Sequence, residues 1–347
     1  MQVLARPAFS SRKENPYNWL LYTYMKDLGI CVDEFSWKQS IANNHKIWHL
    51  HWPELPLNNQ NFLKAFIKAQ ALILQLDWAR SRGTKTVWTV HNLAAHEQFY
   101  PQLEAWFWKA FIQRLDGYIS LSNAGMEAAQ QRFPALKNLP GFVIPHGHYR
   151  GEYEDCISPE AARAALGLPV SAKVVLFFGR IRAYKNVPQL IKAFRQLADP
   201  EAILCIAGRP EFPALTDAIY HEVGSDNRVR TYLDFIPQDK AQLYFRAADL
   251  VVLPYREILN SGSALLALSF DCPILVPLRG TLGELQAQVG EDWVRAYTRE
   301  MTAAHIEDAM QWALNTPRPQ QAPLQALDWQ ELAQQTVRAY KFVADIK

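Results

Sequence analysis

A chain of 347 residues, 49% hydrophobic and 20% charged, has apolar matter for about two or three ordinary domains, which excludes a disordered or fibrous protein. Its four cysteines, Cys31, Cys156, Cys205 and Cys272, are scattered without zinc or redox spacing. No apolar run reaches the length of a membrane span, and no secretory leader is read at the start, so a reducing cytoplasm is the expected compartment. The net charge of +2 hides an asymmetry: residues 1–150 hold 16 Lys and Arg against 10 Asp and Glu, and the rest hold 20 against 24. That positive charge is spread rather than clustered, which argues against a nucleic-acid partner.

Short β-branched runs alternate with amphipathic ones, the pattern of parallel βαβ units. In the first part strands are expected at Val3–Arg6, Ile47–His51, Val87–His91, Tyr118–Leu121 and Phe142–Pro145, with helices near Tyr17–Leu28, Phe62–Ala79, Glu104–Leu115 and Gly125–Phe133. Eight of the eleven tryptophans fall here: Trp19, Trp37, Trp48, Trp52, Trp78, Trp88, Trp106 and Trp108. Either they fill the core, or some face an anionic membrane surface or an extended acceptor. A polar connector then runs from Arg150 to Pro159, followed by a short helix, Pro159–Leu166. The alternation restarts with a strand at Val174–Phe178, a helix at Pro188–Leu197 and strands at Ala202–Ala207 and Val229–Phe235. It continues through the helix Lys240–Ala247, the strand Leu250–Pro254, the helix Ser263–Ser269 and the strand Pro273–Val276, and a final helix spans Asp328–Val343. Cys205 and Cys272 sit inside apolar strand-like runs and are expected as buried thiols. The fold class is therefore α/β, with two Rossmann-like doubly wound domains of similar size joined near residues 150–160.

Open α/β sheets bind ligands outside the carboxyl ends of their strands, beside helix N-termini. The stretch Phe177 to Asn186, FFGRIRAYKN, puts Gly179 and three cations, Arg180, Arg182 and Lys185, at such a place. Arginine grips a phosphate through two donors and lysine adds a mobile point charge, so the cluster reads as a diphosphate clamp, against the alternative of a solvated basic loop. A second glycine turn, Ala207-Gly208-Arg209-Pro210, follows the next strand. A third site lies in LPYREILNSGSALLALSF, where Ser261-Gly262 opens a helix whose free N–H groups favour an anion. Ser261 also fits an ordinary N-cap, and both readings hold together. In the first part, His49, His51, His91, His96, His146 and His148 gather at three strand ends. Without cysteines and with few carboxylates they are not expected to bind a metal; one or two touch a substrate and the others are structural. Glu54 and Glu97 lie near them and could serve as a general base if burial lifts their pKa; plain salt bridges are the alternative. No G-x-G-x-x-G follows the first strand, and neither a P-loop nor a G-x-S-x-G elbow occurs.

Together these features resemble the GT4-like glycosyltransferases of the two-Rossmann-domain, or GT-B, architecture. GRIRAYKNVPQLIKAF is similar to that family's G-R-x(4)-K segment, and IAGRP, FIPQDKAQLYFRAADLVVLPY and NSGSALLALSFDCPILVP follow in the family's order. WTVHN, IPHG and the terminal LDWQELAQQTVRAYKF match segments of the acceptor half and the last helix, which packs back on the first domain. The resemblance implies an acceptor-binding domain at 1–150, a donor-binding domain at 151–327 and a C-terminal helix at 328–347, the domains facing across a cleft. It implies a hexosyltransferase that uses a nucleoside-diphosphate sugar of the GDP-mannose or UDP-glucose type and a glycan or lipid-linked oligosaccharide acceptor, as in exopolysaccharide assembly, without a metal or other cofactor. Arg180 and Lys185 inherit the diphosphate, aided by Ser261 and Gly262. Gly179, Arg209, Ile236, Asn260 and Ser263 line the nucleotide and sugar; Asn15, Tyr17, His51, Trp52 and His146 meet the acceptor; His91, Glu54 and Glu97 are the catalytic candidates.

Two departures stand out. The family's pair of glutamates eight positions apart falls on Ile258 and Leu266, with Glu257 near the first, and the first loop, RPAFSSRKENPYNWLL, lacks a double glycine. The missing glutamate leaves retention and inversion both open. A sugar-nucleotide epimerase of the same architecture and a non-catalytic partner subunit are the alternative functions. Location is expected to be cytoplasmic, with peripheral contact at the inner membrane surface.

Overall fold

The computed structural model describes residues 1–42, 45–95 and 99–345, and the chain divides into two compact units. The first comprises Met1–Gly147 with Leu327–Lys347, the second His148–Ala326.

The first unit contains β1 (Gln2–Arg6), α1 (Tyr17–Asp27), β2 (Cys31–Glu34), α2 (Trp37–Ala42), β3 (Ile47–Leu50), α3 (Phe62–Ser81), β4 (Lys85–Val90), α4 (Pro101–Ile112), β5 (Gly117–Ser120), α5 (Asn123–Arg132) and β6 (Gly141–Val143). Its strands form one parallel sheet in the order β2-β1-β3-β4-β5-β6. Central strands are covered on both faces, so β3 and β5 are buried throughout and their sequences do not alternate. The tryptophans divide between the core and the surface. Trp48, Trp88 and Trp108 are core residues, and Trp88 meets Trp108 with ring centroids 5.4 Å apart. Trp37, Trp78 and Trp106 are exposed.

In the second unit the order of elements is α6 (Pro159–Ala165), β7 (Lys173–Phe178), α7 (Val187–Phe194), β8 (Ala202–Ala207), α8 (Pro213–Val223), β9 (Val229–Tyr232), α9 (Gln238–Ala247), β10 (Leu250–Val252), α10 (Gly262–Ser269), β11 (Ile274–Pro277), α11 (Thr281–Val289), β12 (Val294–Tyr297) and α12 (Ala303–Asn315). Its parallel sheet runs β12-β11-β10-β7-β8-β9. The apolar runs of β7 and β8 are almost wholly buried, and Cys205 and Cys272 are buried free thiols. The last helix, α13 (Trp329–Ala344), returns to the first unit with its Trp329, Leu332, Val337, Tyr340 and Val343 buried.

Several elements differ from the sequence reading. β9 stops at Tyr232 instead of Phe235, because its partner strand ends at Ala207 and Phe235 is exposed; Ile236 therefore lies in a loop. α4 starts at Pro101 instead of Glu104, with proline in its first turn where its missing N–H costs nothing. Strands β2 and β12 and helices α2, α8, α11 and α12 were not read from the sequence. β2 and β12 are short edge strands whose partly exposed residues give no continuous apolar run. Among the described residues no helix is long and apolar enough to cross a membrane.

Candidate functional site

In the second sheet β8 and β9 extend to one side of β7, and β10 to β12 to the other. The chain therefore reverses direction between β7 and β10, the position where open α/β sheets bind ligands. Gly179 and Lys185 follow β7; Tyr255, Ser261 and Ser263 follow β10. A methyl built on Gly179 would lie 3.0 Å from Ser263 Oγ and 3.4 Å from Lys185 Nζ, so the lysine, the serine and bare backbone converge. The Tyr255 hydroxyl is hydrogen-bonded to Ser263 and Ser261.

Lys185 is buried at the end of a short 3₁₀ turn (Ala183–Lys185), and Asn186 behind it takes a left-handed φ of 57° as α7 begins. Its Nζ sits 5.5 Å from the Tyr255 ring centroid and 5.9 Å from that of Phe177. Burial, then the guanidiniums of Arg182 and Arg180, push the ammonium down to about 7, opposed by Glu211. Desolvated positive charge of this kind favours an anionic ligand that restores the full charge. Glu211 bridges the two arginines, 3.0 Å from Arg182 Nε and 3.2 Å from Arg180 Nη2. Arg182 is largely enclosed in that ion pair, while half of the Arg180 side chain is exposed. Glu211 was not singled out from the sequence. Its place depends on a bridge between Ile181 and Pro210, with backbone hydrogen bonds from Ile181 to Arg209 and from Glu211 to Ile181.

The two glycine turns of the sequence prove to be one structure. Gly208 has φ +142°, and a Cβ there would lie 2.1 Å from the Gly179 carbonyl oxygen. Gly179 N donates to Ala207 O, and Gly208 N to Tyr232 O, which extends the sheet beyond its strands. Gly208→Ala is therefore expected to cost about 3 kcal/mol, combining forced overlap with a backbone that L side chains rarely adopt. Gly167→Ala, with φ +65° and open space around it, is expected to cost about 1 kcal/mol. Urea unfolding of both variants measures the difference.

Around this centre Ser261 caps α10, its hydroxyl accepting from Ala264 N at 3.2 Å, so the capping reading holds. Gly262 and Ser263 open the helix, Asn260 precedes the cap, and Arg209 is exposed in the turn after β8. Ile236 is half-buried between β9 and α9.

In the first sheet the reversal falls between β1 and β3. The loop after β1 is fixed by Glu34, whose carboxylate accepts from Phe9 N at 2.7 Å, Ser10 N at 2.9 Å and Ala8 N at 3.2 Å. Three backbone donors that could hold a ligand anion are thus already used by this chain. Asn15 accepts from Tyr17 N at 3.1 Å and opens α1.

Behind that loop lies a chain of buried polar rings. His91 Nε2 is 3.0 Å from His51 Nδ1, and His51 Nε2 is 2.6 Å from the Tyr22 hydroxyl. His49 Nδ1 is 2.9 Å from the Tyr22 hydroxyl and 2.5 Å from that of Tyr340, and His49 Nε2 is 2.7 Å from Thr89 Oγ1. A chain with one proton per link has two consistent polarities, and in both every imidazole is neutral. Burial agrees, pushing His49 down to about 3 and His146 to about 4 and holding His51 and His91 well below the usual histidine range. Tyr17 packs edge-on against His91, with centroids 5.1 Å apart, and also meets His146 and Trp329. Trp52 stacks on His91 at 4.5 Å. A Cβ on Gly147 would fall 2.4 Å from the Trp329 indole, so the glycine of IPHG is needed for close contact with α13.

His51 is wholly enclosed, which removes it from direct contact with an acceptor; it supports His91, which is half-buried. Glu54 is buried as well, accepts from Asn92 Nδ2 at 2.7 Å, and is pushed up to about 7 by burial. Glu97 and His96 lie outside the described residues. His148 falls in the second unit, whereas His49, His51, His91 and His146 fall in the first. Among the described residues no group of three His, Cys, Asp or Glu side chains could hold a metal ion.

Residues 158–320 match the glycosyl transferases group 1 family. Over 336 residues the chain is 30% identical to the GDP-mannose:glycolipid 4-beta-D-mannosyltransferase of Xanthomonas campestris pv. campestris, covering 96% of this chain and 90% of that one. Among solved structures, sucrose-phosphate synthase from Thermosynechococcus elongatus is similar with a TM-score of 0.70 and 15% identity, over 99% of both chains. The Anabaena protein HepE in complex with UDP-glucose gives 0.66 and 17%, over 99% of this chain and 98% of that one. At such identities these two likenesses bear on fold, which is GT-B. The protein belongs to the group 1 glycosyltransferases and is a hexosyltransferase that uses a nucleotide sugar.

Proposed function

We propose that this protein moves mannose from GDP-mannose to a membrane-borne glycolipid, the second unit holding the donor and the first the acceptor. The observation that carries the donor site is buried Lys185 beside half-exposed Arg180 at the reversal point of the sheet. Negative charge grows on the departing diphosphate as the glycosidic bond breaks. Cations already fixed in place, with Lys185 stripped of water, stabilise it with little further reorganisation. Ser263 and the backbone of Gly179 and Gly262 complete the cradle, and Arg209, Asn260 and the Ile236 loop lie toward the nucleotide and sugar. These side chains supply the charge that a divalent metal supplies in other transferases.

A relative named for a β-linkage supports inversion from an α-linked donor, and inversion requires a base for the acceptor hydroxyl. His91 takes that role. It is neutral, half-buried and oriented through His51 and Tyr22, while Glu54 is enclosed and held by Asn92. Trp52, His146 and Asn15, all partly exposed, form the acceptor surface around it, while Tyr17 is buried and supports that surface by packing against His91 and His146. A glycolipid acceptor places the enzyme at a membrane surface as a peripheral protein.

Thermal shift with GDP-mannose, UDP-glucose and ADP- and dTDP-sugars tests the donor. GDP-mannose at 100 times its Kd is expected to add about 2.7 kcal/mol. A shift with UDP-glucose alone moves the donor to glucose, and no shift with any sugar nucleotide removes the clamp. Product from donor without acceptor identifies an epimerase instead.

A further inference from the structure

Helix α3 is apolar on two faces. One, with Ala65, Ala69, Leu72, Ile73, Leu76 and Ala79, packs inward. The other carries Leu63, Ile67, Leu74 and Trp78, which are 62%, 56%, 59% and 45% exposed. Their spacing of four, seven and four puts them on one stripe. The surface continues sideways: Phe66 is 6.1 Å from Trp106 and Phe62 is 5.2 Å from Tyr100 between ring centroids. On the other flank Ile67 and Lys68 share a groove with Trp37, Leu55, Phe35 and Arg6. Trp37 and Ile41 of α2 are exposed as well. A contiguous apolar surface of this extent marks a binding face.

Charge identifies the occupant. From Trp37 to Ile112 the described acids are Glu54 and Glu104, both buried, and Asp77, which is held by Arg114 through two hydrogen bonds of 2.7 Å. Lys38, Lys64, Lys68, Arg80 and Arg82 are exposed around the same surface. A second copy of this chain would bring like-charged lysines together, whereas an anionic lipid surface matches the cations. It also suits Trp37, Trp78, Trp106 and Tyr100, residue types that concentrate at membrane interfaces. α3 is already packed on one side, so it can lie along the headgroup boundary but cannot span.

We propose that the exposed face of α3, with Trp37 and Ile41 of α2 and Trp106 of α4, docks the protein on an anionic lipid surface. This inference deepens the glycolipid reading above and rests on it for its purpose. The full chain is tested by flotation with vesicles of phosphatidylcholine alone and of phosphatidylcholine with phosphatidylglycerol. Binding to the anionic vesicles is expected, weakened about tenfold or more by Ile67→Glu with Leu74→Glu and separately by Lys64→Glu with Lys68→Glu. Absence of binding to either vesicle, or binding that ignores Ile67→Glu and Leu74→Glu, overturns it. So does a dimer in solution that these substitutions dissociate, which would assign the face to a second copy. Donor-induced thermal shift on the same variants separates the failures. Lost shift in the parent protein with vesicle binding intact refutes the transferase site, and the reverse refutes the docking face.

Discussion

Lys185→Ala is expected to lower kcat/KM by about 10²–10³-fold, the usual effect of deleting one fixed group that stabilises developing charge. The fold is expected to persist, because the side chain forms no ion pair among the described contacts and its loss relieves a desolvated charge. Arginine is not expected to rescue it: a guanidinium is broader than an ammonium, and Gly179 and Ser263 close the space around Nζ. Lys185 also sets a pH dependence. In the free enzyme its pKa is about 7, and a bound diphosphate favours the charged form and raises that value. Donor binding therefore takes up a proton at and above neutrality. Donor Kd is expected to stay flat below about pH 7 and to rise above it, a dependence that Lys185→Ala abolishes. Titration calorimetry across this range measures both effects, and a pH-independent Kd in the parent enzyme would remove Lys185 from the diphosphate.

His91→Ala is expected to lower kcat by about 10²–10⁴-fold, the range for general bases, with donor Kd changed less than about twofold. Loss of donor affinity instead would place His91 beside the nucleotide. The acid side of the rate profile separates it from Glu54. Burial depresses His91 below the ordinary histidine value of about 6.5, so its basic form persists as pH falls and activity is lost only below that point. Burial instead lifts the Glu54 carboxyl to about 7, so a base at Glu54 would lose activity near neutrality. A Tyr22→Phe variant removes the hydroxyl that joins His51 to His49, and a moderate fall in kcat with KM retained is expected from a less firmly held His91.

The sequence exposes the parts of this structure that depend on local chemistry. Uninterrupted apolar runs mark the central strands, and Gly179, Gly208 and Ser261 stand at strand ends and a helix start where backbone geometry demands those residue types. Long-range features leave no such trace. Nothing in GRIRAYKN distinguishes a buried Lys185 from a half-exposed Arg180, since burial depends on Tyr255, which follows β10 and is distant in sequence, and on Phe177 of the preceding β7. Glu211 and Glu34 read as solvated acids until the loops they tie are seen together. The histidines invite a substrate or metal reading, yet two of them, His49 and His51, are interior partners of tyrosines far away in the chain.

The return of α13 to the first unit has a consequence for biosynthesis. Tyr340 reaches His49, and Trp329 covers Gly147 and Tyr17, from the far end of the polypeptide. A ribosome must therefore make all of His148–Ala326 before the histidine cluster can close. The first unit is completed last, although most of it is translated first. A nascent or truncated chain can present a finished second unit while the histidines of the first are still open to water, which ties closure of that cluster to completion of the polypeptide.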